Sequence, residues 1–499
     1  MEKLPVRAVA ASARVLCAVL FLTAGLAAQQ RAMQSSWRER PPSPQTAHSR
    51  RFAQRSTAGR ADIRHVILIS VDGMMPETYL NPDGHGLKVP TLREIVLRGA
   101  YSEGARGVFP TVTYPSHTSM ITGCNPGTHG IVANHPFDPL GQLPRAWRWY
   151  TEDIRVPTLL DAARTKGLTT AIVFWPVSVG ARATAFVPEF WRREPGTPED
   201  AKLNFAISTP GLLEAVAKRF ADFRANFLPP AAKDEALTDI AVQVMETLQP
   251  NLMLMHIYEV DHWQHFEGLF TGHALLALEN ADQQIGRVIA AAKKSCTWNQ
   301  TVLVVVSDHG FAPAQHRVHP EAWLRAKSLV TLDGKGKIIN WKAYLLADSG
   351  AAYVYVKDNQ DQETRRVVLE MFQKAAATPG TGIGQVLNHD QIVALGGDSE
   401  AFLALEAAEG WAIVNGIEDA TTAAPIAVAE HGYLPERPAM QASLLVYGPP
   451  IGRGKIKGAR LIDVGPTVAR LLGLKLDRAE GKPLEIPMRR APRASASRQ

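Results

Sequence analysis

The sequence predicts an α/β fold in which a largely parallel central sheet is sandwiched between helices, with a smaller inserted cap region. Three observations carry that prediction. Five short apolar runs are rich in Val, Ile and Leu and show little alternation, as strands covered on both faces require. Segments with apolar residues at helical spacing lie among them, which is the order of an α/β layer fold. Aspartates and histidines follow several of the runs, where ligands bind in an open α/β sheet.

Along the chain, the first element is an export signal over 1–28. Lys3, Arg7 and Arg14 form a basic lead-in to the apolar run Val15–Leu26, which is broken only by Thr23 and Gly25. Ala24, Gly25, Ala27 and Ala28 suit a cleavage site, and the run falls short of the roughly 20 apolar residues a membrane span needs. The expectation is an exported protein, periplasmic or secreted, with no stable membrane span once the signal is removed. Residues 29–60 are rich in Arg, Ser, Pro and Gln and read as a basic disordered linker; 486–499 read as a basic disordered tail.

The body, 61–485, begins with the expected strand His65–Val71. A helix over Thr158–Lys166 precedes the run Leu168–Trp175, and the run Asn251–Tyr258 follows. A long helix over Thr271–Lys294 leads into the run Thr301–Ser307, and Ser443–Gly448 is the fifth run. Between about 312 and 428 the pattern is mixed, with a strand expected at Ala351–Val356 and a helix at Asp361–Ala376. That stretch is the candidate cap.

With 46% hydrophobic and 20% charged residues in 499, the chain is neither disordered, fibrous nor a polytopic membrane protein. The formal charge of +6 is unevenly placed: residues 1–60 carry +8, 482–499 carry +4, and the remainder −6. The basic balance belongs to the ends, so no specific nucleic-acid binding is expected. Beyond the signal only Cys124 and Cys296 remain, either as a pair or as two thiols.

The chemistry lies in residues beyond the strand runs. Asp72 follows the first run, Asp261 and His265 follow the third, and Asp308-His309 follow the fourth; a further His431 precedes Gly432. Asp261 and His265 stand one helical turn apart and so share a face. Carboxylate and imidazole together suit zinc, manganese or iron, and the set amounts to two metal sites. Thr113 precedes a short helical pattern, where a hydroxyl meets free N–H groups and a partial positive charge suited to a phosphoryl group; a plain N-cap is the structural alternative.

Taken together, VILISVDG at 66–73, FPTVTYPSHTSMITGCNPGTHGIVAN at 109–134, DHWQH at 261–265, SDHGF at 307–311 and EHGY at 430–433 resemble the alkaline phosphatase superfamily. Within it they are most similar to the type I phosphodiesterase/nucleotide pyrophosphatase family, in an exported bacterial form. The resemblance spans roughly 61–485 and implies an alkaline-phosphatase-like fold. It implies Thr113 as nucleophile, one metal held by Asp72, Thr113, Asp308 and His309, and a second held by Asp261, His265 and His431. Asn134 stands where this family sets an amide against a phosphate oxygen, and zinc is the implied metal at both sites. Two departures leave the ligands intact: the family's Pro-Asp-x-x-Gly-His is Val260-Asp261-His262-Trp263-Gln264-His265, and its Pro-Asn-His is Pro115-Ser116-His117.

The expected activity is hydrolysis of a small phosphodiester or nucleotide pyrophosphate through a phosphothreonine intermediate. A phosphate monoesterase is the nearest alternative, and a non-catalytic secreted binding protein that keeps the fold is the alternative of another class. A monoester carries one more negative oxygen and calls for a cation near Thr113; Arg106 is nearest in sequence, and Arg317 is a source from farther along the chain. Trp175, Phe190, Trp191 and Trp263 offer an apolar wall or a stacking surface, with Trp175 the expected substrate contact; core packing is the structural alternative for most of them. Oligomeric state is not legible.

Overall fold

A computed structural model of the chain describes residues 62–143, 146–190, 198–227, 233–416, 421–422 and 429–489. The expected signal and the whole of the expected linker lie outside these residues, as does Trp191. In chain order the strands of the two larger sheets are β1 (His65–Val71), β2 (Ala100–Ser102), β3 (Thr170–Val173), β4 (Ala185–Val187), β5 (Leu252–Ile257), β6 (Thr301–Val306), β7 (Ala343–Asp348), β8 (Ala351–Val356), β9 (Ile383–Asn388), β10 (Leu403–Ala407), β11 (Leu444–Tyr447) and β12 (Gly454–Ile456). The main helices are α1 (Pro90–Arg98), α2 (Thr113–Thr122), α3 (Leu159–Thr165), α4 (Asp234–Thr247), α5 (Glu259–Glu267), α6 (Gly272–Lys294), α7 (Gln362–Ala377) and α8 (Val464–Leu472).

The central sheet has eight strands in the order β12-β2-β11-β6-β1-β5-β3-β4. β1 pairs in parallel with both β5 and β6, and β3 with both β5 and β4. The fifth apolar run forms β11, which runs antiparallel to β6 and β2. A buried antiparallel strand shows the same continuous apolar run as a parallel one, so the run does not reveal its direction.

The lack of alternation in these runs has a direct cause. Along β1, Val66 and Leu68 enter one core while Ile67, Ile69 and Val71 enter the other. β5 and β6 divide their residues in the same way, with Leu252, Leu254, Val302 and Val304 on one side and Met253, Met255, Leu303 and Val305 on the other. Residues of α1, α4 and α6 cover one face; residues of α2, α3 and α8 cover the other. Each fully buried Val, Leu or Ile contributes about 1.5–3 kcal/mol relative to exposure. α3 starts on a capping box in which Thr158 and Asp161 bond each other's backbone N–H.

Part of the expected cap forms a second, antiparallel sheet, β7-β8-β10-β9. β8 again splits: Ala352 and Val354 pack with Val368 and Phe372 of α7, while Tyr353 and Tyr355 pack with Phe109 and Ala133. A smaller sheet centres on Ala312–Val318, which pairs in parallel with Gly410–Ile413 and antiparallel with Ala429–Glu430. His431 directly follows the paired Ala429–Glu430, and Asn134 follows Ala133, which packs against β8.

The expected tail boundary moves. Ile486 is buried, Gly452 N–H donates to Pro487 O at 2.8 Å, and Arg489 N–H donates to Pro450 O at 2.9 Å, so the packed body extends to residue 489. Cys124 is buried and Cys296 exposed, and both are free thiols. Among the described residues, no helix is long and apolar enough to cross a membrane.

Candidate two-metal site

The site is assembled at the carboxyl ends of β1, β5 and β6. Asp72 leaves β1 with its N–H donated to Ile257 O at 2.9 Å, which extends the pairing of β1 with β5 by one residue. Gly73 then turns with φ +66 and donates its N–H to Asp308 Oδ1 at 3.1 Å. A Cβ on Gly73 would stand 2.5 Å from Phe311 Cε2, so the turn needs glycine for both conformation and space. Asp308 and His309 leave β6 fully buried. Asp261 and His265 lie on α5, which begins just after β5, and His431 follows the short strand Ala429–Glu430.

The six residues form two groups, Asp72–Asp308–His309 and Asp261–His265–His431. Within each group one candidate ligand atom per residue lies within 4.8 Å of the others. His309 Nε2 stands 3.3 Å from Asp72 Oδ1 and 3.1 Å from Asp308 Oδ2. Asp261 Oδ1 stands 3.5 Å from His265 Nε2 and 3.6 Å from His431 Nε2. The two groups adjoin, because the rings of His309 and His431 stack with centroids 3.7 Å apart.

The outward bonds orient the imidazoles. Nδ1 of His265, His309 and His431 each meets a backbone carbonyl, of Ala429 at 3.1 Å, Gly310 at 3.2 Å and Thr111 at 3.1 Å. Assigning the proton to Nδ1 leaves an Nε2 lone pair directed inward, the usual arrangement of a metal-binding histidine. Asp72 Oδ1, Asp261 Oδ1, Asp308 Oδ2 and His309 Nε2 are buried without a hydrogen-bond partner. These are the atoms that converge, and buried polar atoms left unpaired in this way fit a cation. Three protein ligands per group match a catalytic zinc position with room for another ligand.

The local electrostatics show how crowded the carboxylates are. Burial, then repulsion from Asp308 and Asp261, pushes the Asp72 carboxyl well above the usual range. Burial also works against ionisation of Asp261 and Asp308, but their histidine neighbours outweigh it: Asp261 falls to about 2 and Asp308 well below its ordinary value. Burial opposes the His309 cation, yet Asp308 and Asp72 raise it to about 9. Burial and the neighbouring His309 lower His431 to about 3.

Thr113 is the first residue of α2. Val112 is the N-cap, extended and without a side-chain capping bond, so Thr113 does not serve as a cap. The residues around the threonine touch both groups. Thr111 O meets His431 Nδ1, and His117, one turn after Thr113, turns Nδ1 to Thr113 O, which accepts at 2.8 Å, while approaching Asp308 Oδ2 at 3.8 Å. Asn134 Oδ1 accepts the Tyr114 N–H at 2.9 Å, which ties its amide to the first turn of α2.

Trp175 is a correction. It is fully buried in the core on one face of the sheet, with its ring centroid 4.8 Å from that of His117, and offers no surface to a substrate. Arg106 is engaged by the Glu436 carboxylate at 2.5 Å. Arg317 sits on Ala312–Val318, where burial lowers its guanidinium from the usual range and leaves Nε unpartnered.

Four polar residues near the site were not singled out from sequence. His256 lies inside β5 with Nε2 3.1 Å from Asp72 Oδ2, and Glu189 Oε2 lies 3.6 Å from its Nδ1. Glu430 Oε2 lies 3.2 Å from His265 Nδ1. Asp348 Oδ2 accepts the Asn134 N–H at 3.4 Å, and burial raises its carboxyl to about 7. A histidine interrupting an otherwise apolar strand was the available signal for His256.

Comparison with known proteins adds the following. The model of the family described as type I phosphodiesterase / nucleotide pyrophosphatase matches residues 66–434. Human ectonucleotide pyrophosphatase/phosphodiesterase family member 1 is 25% identical over 248 residues, 49% of this chain and 23% of that protein. Venom phosphodiesterase 2 of Crotalus adamanteus is 24% identical over 251 residues, 49% of this chain and 26% of that protein. The matched region thus spans about a quarter of the length of these relatives. A bis(5'-adenosyl)-triphosphatase of Pongo abelii is 23% identical over 423 residues, 82% of this chain and 78% of that protein. Among solved structures, human ectonucleotide pyrophosphatase/phosphodiesterase 5 aligns with TM-score 0.60 at 19% identity, covering 84% of this chain and 97% of the other. The murine protein, as an inactive threonine-to-alanine variant in complex with AMP, aligns with TM-score 0.59 at 20% identity, covering 84% of this chain and 97% of the other.

Proposed function

The chain belongs to the type I phosphodiesterase/nucleotide pyrophosphatase family, and on that premise we propose that it is a metal-dependent hydrolase of small phosphodiesters or nucleotide pyrophosphates that works through a phosphothreonine on Thr113. The observation that carries the reading is the pair of adjoining three-ligand groups with converging, unpartnered buried atoms, reached from the start of α2 through Thr111 and His117. Asp72, Asp308 and His309, with Thr113, would hold one divalent ion, and Asp261, His265 and His431 the other. Zinc is the ion the family resemblance implies, and the carboxylate and imidazole donors suit it. When bound, such ions supply Lewis-acid activation of the attacking and leaving oxygens.

The chain's own residues do the rest. The start of α2 presents free N–H groups and a partial positive charge to a phosphoryl group. Thr113 Oγ1 attacks phosphorus, the bond from phosphorus to the leaving oxygen breaks, and a phosphothreonine ester forms. Water then cleaves that ester and restores the hydroxyl. Because the Asn134 oxygen is committed to the Tyr114 N–H, its NH2 is the end available to a phosphoryl oxygen as charge develops there. The AMP complex of the murine relative, inactive with threonine replaced by alanine, supports both the substrate class and the threonine's role. The basic, apolar N-terminus supports export of the protein.

Diester preference is supported by the engagement of Arg106 with Glu436, which removes the cation nearest Thr113 in sequence. The buried, unpartnered Nε of Arg317 favours the second reading, a monoesterase. Turnover of bis-p-nitrophenyl phosphate and p-nitrophenyl phosphate by the zinc-loaded protein separates them. The expected result is faster diester turnover, lost with EDTA and reduced to the background rate in Thr113→Ala. Faster monoester turnover overturns the diester reading; full activity in Thr113→Ala overturns the nucleophile.

A further inference from the structure

His256 differs from the three histidines of the metal groups. Each of those turns Nδ1 to a backbone carbonyl, to which His265 adds the Glu430 carboxylate. The ring nitrogens of His256 face two carboxylates and meet no backbone carbonyl among the hydrogen bonds of the described residues: Nε2 is 3.1 Å from Asp72 Oδ2 and Nδ1 is 3.6 Å from Glu189 Oε2. The other oxygen of Glu189 accepts the Tyr114 hydroxyl at 3.2 Å, and Tyr114 directly follows Thr113. The whole chain of contacts is buried: Asp72 is 4%, Tyr114 1%, Glu189 3% and His256 1% exposed.

Backbone structure places these groups. His256 is the β5 partner of Ser70 on β1, two residues before Asp72, and Glu189 follows β4 by two residues. Asp72 therefore has one oxygen committed to His256 and the other, Oδ1, unpartnered and turned to His309. A carboxylate free at both oxygens rotates and binds a cation through either one or both. One held at Oδ2 presents Oδ1 alone.

We propose that Glu189 and His256 are a positioning pair: they are not metal ligands, but they select Oδ1 of Asp72 as the ligand atom of the first metal group and, through Tyr114, tie that group to the Thr113 helix. The pair rests on the two-metal reading above and extends it. Outer partners of this kind typically change metal affinity about 10–100-fold when removed. The relay makes a sharper demand, because the loss falls on one of two sites. Asp261, His265 and His431 make no contact with His256 or Glu189 among the described residues, so the second site keeps its affinity.

The test is chelator competition with Zn2+ and with Co2+ on the purified full-length protein, read by metal stoichiometry and the Co2+ absorption spectrum. The expected result for His256→Ala is one metal equivalent weakened about 10–100-fold with the other unchanged. His256→Gln, which returns an N–H donor towards Asp72, recovers most of that loss. Glu189→Gln, which keeps the shape, gives a smaller loss at the same site, and serves alone if His256→Ala fails to fold. Diester kinetics accompany the titration: kcat falls with the loss while KM changes little. Two wild-type-like equivalents in His256→Ala or Glu189→Gln overturn the positioning role, as does equal weakening of both sites or no recovery in His256→Gln. A wild-type protein that binds fewer than two equivalents overturns the two-metal reading itself, and the pair with it.

Discussion

At the scale of single residues, the proposed chemistry depends on side chains whose other bonds are already taken. Asn134 is one: its oxygen is held by the Tyr114 N–H, so Asn134→Ala removes one oriented donor without disturbing a metal ligand. The expected effect is a fall of about 10²–10³-fold in kcat with zinc stoichiometry unchanged. Asp348 is another, and its effect is on stability. Burial raises its carboxyl from 3.8 to about 7, so the folded state binds the proton more tightly than the unfolded chain. That contribution is complete below the unfolded value and is lost as pH rises through about 7. Asp348→Asn removes the dependence. Relative to wild type, the variant should gain stability between pH 4 and 7, by at most about 4 kcal/mol, and the gain should level off above. Urea midpoints at pH 5 and pH 8 measure it; an equal difference at both overturns the assignment.

At the scale of elements, short turns after strands place the ligands. Gly73 turns the chain directly after Asp72 and holds Asp308 through its N–H. Gly73→Ala forces an L side chain into φ +66 against Phe311, and should cost at least about 1 kcal/mol, read as a lower urea midpoint. An unchanged midpoint would show that the turn relaxes freely. A second device joins two helices: Asp282 on α6 accepts the N–H groups of Thr91 at 3.1 Å and Leu92 at 2.7 Å, capping α1 from outside. Asp282→Ala should cost about 1–2 kcal/mol, again by urea midpoint.

Much of this was legible before the structure. β1 occupies the same residues as its apolar run, and α6 starts one residue inside its expected span, because both are long, buried and strongly patterned. The six metal-group residues were legible because five follow strand runs and all lie in distinctive motifs, and they do converge. The direction of β11 was not legible, since burial on both faces erases alternation whichever way a strand runs. Trp175 misled because an aromatic beside a motif reads equally as wall or as core. His256 and Glu189 escaped because their roles depend on pairing between strands β4, β3, β5 and β1, which no local pattern records.

At the scale of the whole molecule, metal and fold are linked. Asp72 and Asp308, both buried, and the half-buried Asp261 crowd three carboxylates into one rim, and cations would offset their repulsion. Removing metal with EDTA should lower the thermal midpoint, and zinc at a hundredfold over its dissociation constant should restore about 2.7 kcal/mol per site. A midpoint indifferent to EDTA and zinc would contradict the proposed sites.

The distances along the chain between partners at the rim have a consequence for assembly. The Gly73–Asp308 bond spans 235 positions, and the His265–Ala429 contact spans 164. Neither group can be gathered by a short stretch of polypeptide, because closing loops of that length is entropically unfavourable until the sheet itself brings the ends together. The rim is therefore a late product of folding, and a nascent chain released before β6 has no way to capture either of the proposed ions in its final coordination. Metal capture thus reports completion of the fold: a time course of Co2+ absorbance during refolding should lag behind the recovery of secondary structure and never precede it.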